Sequence, residues 1–113
     1  MKLSFIELPF FEKYRKEHLT DDEYRRFQNE LLENPEKGDV IQGVNGLRKI
    51  RLSVKGKGKR GGARAIYYYF VNGAQIWLFT AYDKNEQEDL TNEEKKVFSK
   101  VLENLKRMAK GEL

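Results

Sequence analysis

Ile66-Tyr-Tyr-Tyr-Phe-Val71 is an unbroken run of β-branched and aromatic residues, and Asn72-Gly73 follows it directly. Side chains of this kind fit a pleated, half-buried surface. A second β-prone run, Gln75–Tyr82, lies just beyond. Two such runs joined through Asn-Gly read as a β-hairpin, so Ala63–Val71 and Gln75–Tyr82 are expected to form an antiparallel pair. Leu47–Val54 reads as a strand preceding the pair, and Lys2–Glu7 as a first strand.

Helix signals occupy the rest. Pro9 can open a helix, and Phe10, Phe11, Tyr14 and His18 recur behind it at helical spacing. Thr20-Asp-Asp-Glu23 is a capping box, backed by Tyr24, Phe27, Leu31 and Leu32. Asn34-Pro35 ends that helix, because the residue before proline disfavours the α region. Gly38, Gly43 and Asn45-Gly46 mark turns. Thr91 with Glu94 opens a last helix, whose buried stripe is read as Val97, Phe98, Val101, Leu102, Leu105 and Met108. The predicted order is β-α-α-β-β-β-α. It describes an α+β fold, a small antiparallel sheet with helices packed on one face. A chain of 113 residues is enough for one compact domain, 1–113, without a linker or repeat.

Composition narrows the chemistry. There is no cysteine, which removes disulfides, thiolate metal sites and a cysteine nucleophile. His18 is the only histidine. It falls at the end of a helical segment, where a cation suits the helix dipole, and is read as structural. No metal or other cofactor is expected. Trp77 is assigned to the core. No apolar run approaches the ~20 residues of a membrane span, and Glu7 interrupts the N-terminus too early for a signal peptide. The expected location is the cytoplasm, away from membranes.

The net charge of +4 conceals an asymmetry. Val40–Tyr82 contains no Asp or Glu, yet it holds Arg48, Lys49, Arg51, Lys55, Lys57, Lys59, Arg60 and Arg64. A concentrated positive field suits a polyanion, most simply a nucleic acid. Gly56-Lys-Gly-Lys-Arg-Gly-Gly62 formally matches a dinucleotide fingerprint, but the fingerprint requires a helix after the glycines and a strand is predicted here. The segment is read as a cationic loop whose glycines allow close approach to phosphate. Arg64 sits two residues beyond it on a strand, held more firmly than the loop lysines. A fixed arginine suits a developing phosphorane. At the far end of the hairpin, Tyr82 could stack on a base or transfer a proton, with Lys84 close behind it in sequence. A flexible basic loop and a plain strand end are the structural alternatives for these two segments.

These residues together resemble a known family. Val40-Ile-Gln-Gly43, Gly46-Leu-Arg-Lys-Ile-Arg51, Lys55–Gly62 with Arg64, Ile66-Tyr-Tyr68 and Tyr82-Asp-Lys84-Asn-Glu86 look like the HigB-like branch of the RelE toxin superfamily. The resemblance runs from Phe5 through Leu90. It implies a RelE-like fold, cleavage of mRNA in the ribosomal A site, and neutralisation by a cognate antitoxin, in this branch often a helix-turn-helix protein encoded nearby. Carried over by position, Arg64 falls where the family places a catalytic arginine. Lys57, Lys84 and Tyr82 join it as catalytic candidates. Arg48, Lys49, Arg51, Lys55, Lys59 and Arg60 are the RNA-binding candidates. Relatives carry a tyrosine or histidine near the C-terminus, whereas Ser99–Leu113 contains neither.

The chemistry so implied is metal-independent, because RNA supplies its own 2′-hydroxyl nucleophile. Arg64 would stabilise the phosphorane, and Lys55, Lys57 or Lys84 could serve as base, since neighbouring cations disfavour the charged ammonium. A non-catalytic RNA- or ribosome-binding protein using the same basic face is the competing reading.

Overall fold

The computed structural model describes residues 2–54 and 62–111. Lys55, Lys57, Lys59 and Arg60 therefore lie outside the described residues. The elements are β1 (Ser4–Glu7), α1 (Pro9–His18), α2 (Asp21–Glu33), β2 (Asp39–Val40), β3 (Arg48–Leu52), β4 (Ala63–Phe70), β5 (Gln75–Asp83) and α3 (Asn92–Ala109).

Local chemistry places the helix ends where the sequence signals them. Pro9 begins α1. Thr20 and Thr91 each form a reciprocal capping box with the glutamate three residues on, so two otherwise orphaned backbone donors are satisfied at each N-terminus. α2 stops at Asn34, before Pro35.

The strands form one five-stranded sheet in the order β1-β5-β4-β3-β2. β2 to β5 run antiparallel to their neighbours, and β1 pairs with β5 in parallel. The expected antiparallel sheet is present in β2 to β5, and the parallel pairing of β1 makes the whole sheet mixed. The helices α1 and α2 intervene between β1 and the meander, and β1 joins the far edge of the sheet with Leu8 N–H donating to Leu78 O at 2.9 Å. A strand of four residues carries no sign of its partner's direction. The hairpin forms as expected, but positive φ falls on Ala74 (49°) rather than on Asn72 or Gly73. Gly73 serves a different purpose: a Cβ there would lie 2.6 Å from the Phe70 ring.

Helices pack on both faces, not one. Phe11, Tyr14, Phe27 and Leu31 from α1 and α2 cover Ile50, Leu52, Ala63, Ala65, Tyr67, Ile76 and Leu78. Phe98 and Leu102 from α3 cover Leu47, Ile66, Trp77 and Phe79 on the other side. Alternation along β4 divides its residues between the layers. A register shift at Ile66/Tyr67 interrupts the ladder with β5, which lets Trp77, Phe79 and Tyr82 share the α3 layer despite their uneven spacing. Val101 and Leu105 are partly buried against it. Val97 and Met108, expected in the buried stripe, are 53% and 60% exposed because they lie on the flanks of the helix.

Tyr67 is fully buried, and its hydroxyl donates to Pro35 O at 2.8 Å and accepts from Gly38 N–H at 2.9 Å. A Cβ on Gly38 would meet the same ring at 2.8 Å. Tyr67→Phe leaves both backbone groups without this partner, and a buried unsatisfied group costs about 1–3 kcal/mol. The expected outcome is an unfolding free energy lower by that amount, read in urea titration as a lower midpoint with unchanged slope. An unaltered midpoint would show that water replaces the hydroxyl.

Candidate active site

Register places the basic side chains. Arg51 pairs with Arg64, Arg64 with Tyr82, and Lys49 with Ile66. Cross-strand partners share a face of the sheet. Ile66 and Tyr82 belong to the layer beneath α3, so Lys49, Arg51, Arg64 and Tyr82 stand on that side. α3 covers the apolar part of that face. Lys49, Ile50, Arg51 and Arg64 line a cleft of about 570 Å³ together with Glu30, Lys37 and Asp39.

Two arginines directly opposite one another repel, which works against folding. Among the described residues no carboxylate pairs with Arg51 or Arg64. Arg64 donates instead to its neighbour's carbonyl, Ala63 O, at 3.1 Å. Lys37 and Lys49 are neutralised, the first by Glu30 and the second by Asp89. The Lys49 ammonium holds Asp89 below the usual carboxylate range. Two guanidinium groups carried on paired strands beside a cleft can hold an anion in a bidentate fork and stabilise charge that develops on it.

The other predicted residues are dispersed. Arg48 faces the opposite layer, paired with Tyr67. Its Nη1 donates to Glu36 O and Gly38 O at 3.0 and 2.8 Å, so its donors serve the backbone around β2. Tyr82 is 7% exposed, and its hydroxyl reaches Glu88 O at 3.3 Å. Burial, reinforced by the Asp89 charge and opposed by Arg64, pushes its pKa up to about 12. It is a neutral phenol at physiological pH, and stacking on a base would require the ring to be uncovered. Lys84 is half-buried just past the end of β5, its N–H donating to Gly62 O at 3.1 Å. His18 lies in the last turn of α1 with its ring 4.4 Å from that of Tyr14, and Trp77 is in the core.

Two features escaped the sequence reading. Asp89 returns over forty residues to Lys49, a separation that carries no local signal. Asp83 is buried at the end of β5 and accepts from the Tyr14 hydroxyl. Its inward position follows from alternation with Ala81, but the register shift obscures the period upstream. No group of three or more potential metal ligands occurs among the described residues, and no helix there is long and apolar enough to cross a membrane.

The family model described as "RelE toxin of RelE / RelB toxin-antitoxin system" matches residues 5–113. Among solved structures, the chain is similar to the isolated E. coli RelE toxin at 14% identity, with 92% of this chain and 99% of that chain covered and a TM-score of 0.56. It is similar to a mutant of E. coli RelE in the free state at 16% identity, covering 78% and 90%, with a TM-score of 0.55. The intact E. coli RelBE toxin–antitoxin complex matches at 16% identity over 71% and 94%, with a TM-score of 0.53. At such identities the likeness to these structures is one of fold.

Proposed function

The chain belongs to the RelE toxin family, and from that premise we propose that it is a single-domain, ribosome-dependent mRNA endonuclease of the cytoplasm, neutralised by a cognate antitoxin. The observation that carries the nuclease reading is the Arg51–Arg64 pair beside an open cleft. Self-repelling cations at a sheet end are explained by an anion that joins them. In a strand of mRNA that anion is the scissile phosphate.

The 2′-hydroxyl of the RNA attacks its own adjacent phosphorus, the P–O5′ bond breaks, and the products are a 2′,3′-cyclic phosphate and a 5′-hydroxyl. The attacking hydroxyl gives up a proton and the leaving oxygen receives one. Arg64 stabilises the phosphorane, with Arg51 beside it. Lys84, Lys55 or Lys57 handles the protons. Tyr82, neutral and buried beside Arg64 on the neighbouring strand, donates only if it is uncovered. The HigB-like motifs make a helix-turn-helix protein the expected antitoxin, and the E. coli RelBE complex supports a protein partner in general terms.

The burial of Tyr82 is the observation on the side of a non-catalytic RNA- or ribosome-binding protein. Induced expression in a bacterial host separates the two. Growth should stop, primer extension should reveal new 5′ ends within translated mRNA, and co-expression of the neighbouring antitoxin frame should restore growth. Ribosome binding without new 5′ ends would select the non-catalytic reading. Harmless expression with no rescuing neighbour would remove both nuclease and toxin.

A further inference from the structure

Asp83 is the one charged side chain that is buried among the described residues, at 5% exposure, and the reaction outlined above does not use it. Its Oδ1 accepts from the Tyr14 hydroxyl at 2.5 Å, a contact between residues 69 apart in sequence. Tyr14 is itself fixed in the core of α1, 8% exposed and packed against His18. The other inward residues of β5, Ile76, Leu78 and Ala81, are apolar. An apolar side chain would fill this position too, but it would not direct the strand end. A hydrogen bond to a buried carboxylate is both strong and directional.

Asp83 stands at the end of the β4–β5 ladder, between Tyr82 and Lys84 in sequence. Its backbone pairs with Ala63, one register step from Arg64 and Tyr82. The next residue is Lys84, tied to Gly62 through its N–H. The Asp83 carbonyl accepts from the N–H groups of Glu86 and Gln87 at 3.0 and 3.2 Å, shaping the turn that leads on to Asp89 and its partner Lys49. The Tyr14–Asp83 contact thus ties α1 to the segment that joins Lys84 to the strand pair carrying Arg64.

We propose that Asp83, held by Tyr14, is a positioning residue that sets Lys84 relative to Arg64, so that the proton-handling and phosphate-holding groups address the same phosphate. This rests on the nuclease reading. It touches no reacting atom and acts through Lys84 alone. Misplacement of a reacting group by 1 Å can cost ~10²-fold in rate, and loosening it costs a fraction of that.

Three variants test the assignment on programmed ribosomes. Tyr14→Phe removes the Tyr14 donor, and Asp83→Leu removes the acceptor with the same number of side-chain heavy atoms. Asp83→Asn keeps an oxygen that can still accept from Tyr14. Tyr14→Phe and Asp83→Leu are expected to lower kcat about tenfold with KM for ribosomes unchanged, and Asp83→Asn to retain most of the rate. Full kcat in the first two would overturn the assignment, as would a change confined to KM. An Asp83→Asn loss equal to that of Asp83→Leu would show that charge acts rather than position, and would overturn it as well. Loss of the thermal unfolding transition in both Tyr14→Phe and Asp83→Leu would make the pair a folding contact. Arg64→Ala, run in parallel, separates the two levels. Cleavage lost there but intact in Tyr14→Phe defeats only the role of Asp83, whereas cleavage intact in both defeats the site itself.

Discussion

Arg64→Ala is expected to lower the rate of mRNA cleavage about 10²–10³-fold, the usual loss when one charge-stabilising donor is removed from a transition state, and with it to abolish growth arrest. Arg64 is held by β4 between Arg51 and Tyr82, so its guanidinium is presented from a rigid element. On the proposed mechanism a group so placed would stabilise the phosphorane more than the ground-state phosphate, and its removal should lower kcat with little change in ribosome binding. Folding should not suffer. The substitution removes a cross-strand like-charge pair, so the thermal midpoint is expected to stay level or to rise. Lys59→Ala, with several cationic neighbours in sequence, should cost much less. Primer extension on translating ribosomes measures the cleavage, and circular dichroism with co-sedimentation supplies the controls. Full cleavage by Arg64→Ala would remove Arg64 from the active site, and an unfolded protein would show its role to be structural.

The physical basis of that prediction was only partly visible in the sequence. Local signals were reliable wherever the chemistry is local. Thr20 with Glu23 and Thr91 with Glu94 formed the capping boxes that their spacing announces, and Asn34 ended its helix ahead of Pro35. The run Ile66–Val71 became a strand because β-branched and aromatic side chains suit little else. Orientation and layering were not legible, because they depend on partners distant in the chain. β1 shows no mark of being parallel to β5, and the apolar residues of α3 do not say which face of the sheet they cover. The site followed the same division. Arg64 and Arg51 could be recognised as strand cations, but only register makes them neighbours. Arg48, three residues from Arg51, looked equivalent in sequence and faces the other way, into the carbonyls of Glu36 and Gly38. Tyr82 read as a strand-end aromatic free to stack, yet it is buried in the α3 layer beside its cross-strand partner Arg64.

Salt should weaken the interaction with ribosomes steeply, and this follows from the same distribution of charge. Each RNA phosphate neutralised by a lysine or arginine releases condensed counterions, with a slope of about −0.7 per contact for single strands. Arg51 and Arg64 have no acid pairing with them among the described residues, and Lys49 can exchange its exposed partner Asp89 for a phosphate. With a further contact from the cationic residues around Lys57, about four phosphates would be neutralised. A rise from 50 to 200 mM salt is then expected to reduce affinity about 50-fold. Arg51→Ala should flatten the slope by about one contact, whereas Arg48→Ala should leave it unchanged, because Arg48 is already bound to backbone carbonyls on the opposite face. The measurement is ribosome co-sedimentation across a salt series for the three proteins. Binding indifferent to salt would dismiss the open end of the sheet as an RNA surface. Equal slopes for Arg51→Ala and the unaltered protein would place the phosphates elsewhere on the molecule, and a slope flattened by Arg48→Ala would mean that its carbonyl contacts give way when RNA binds.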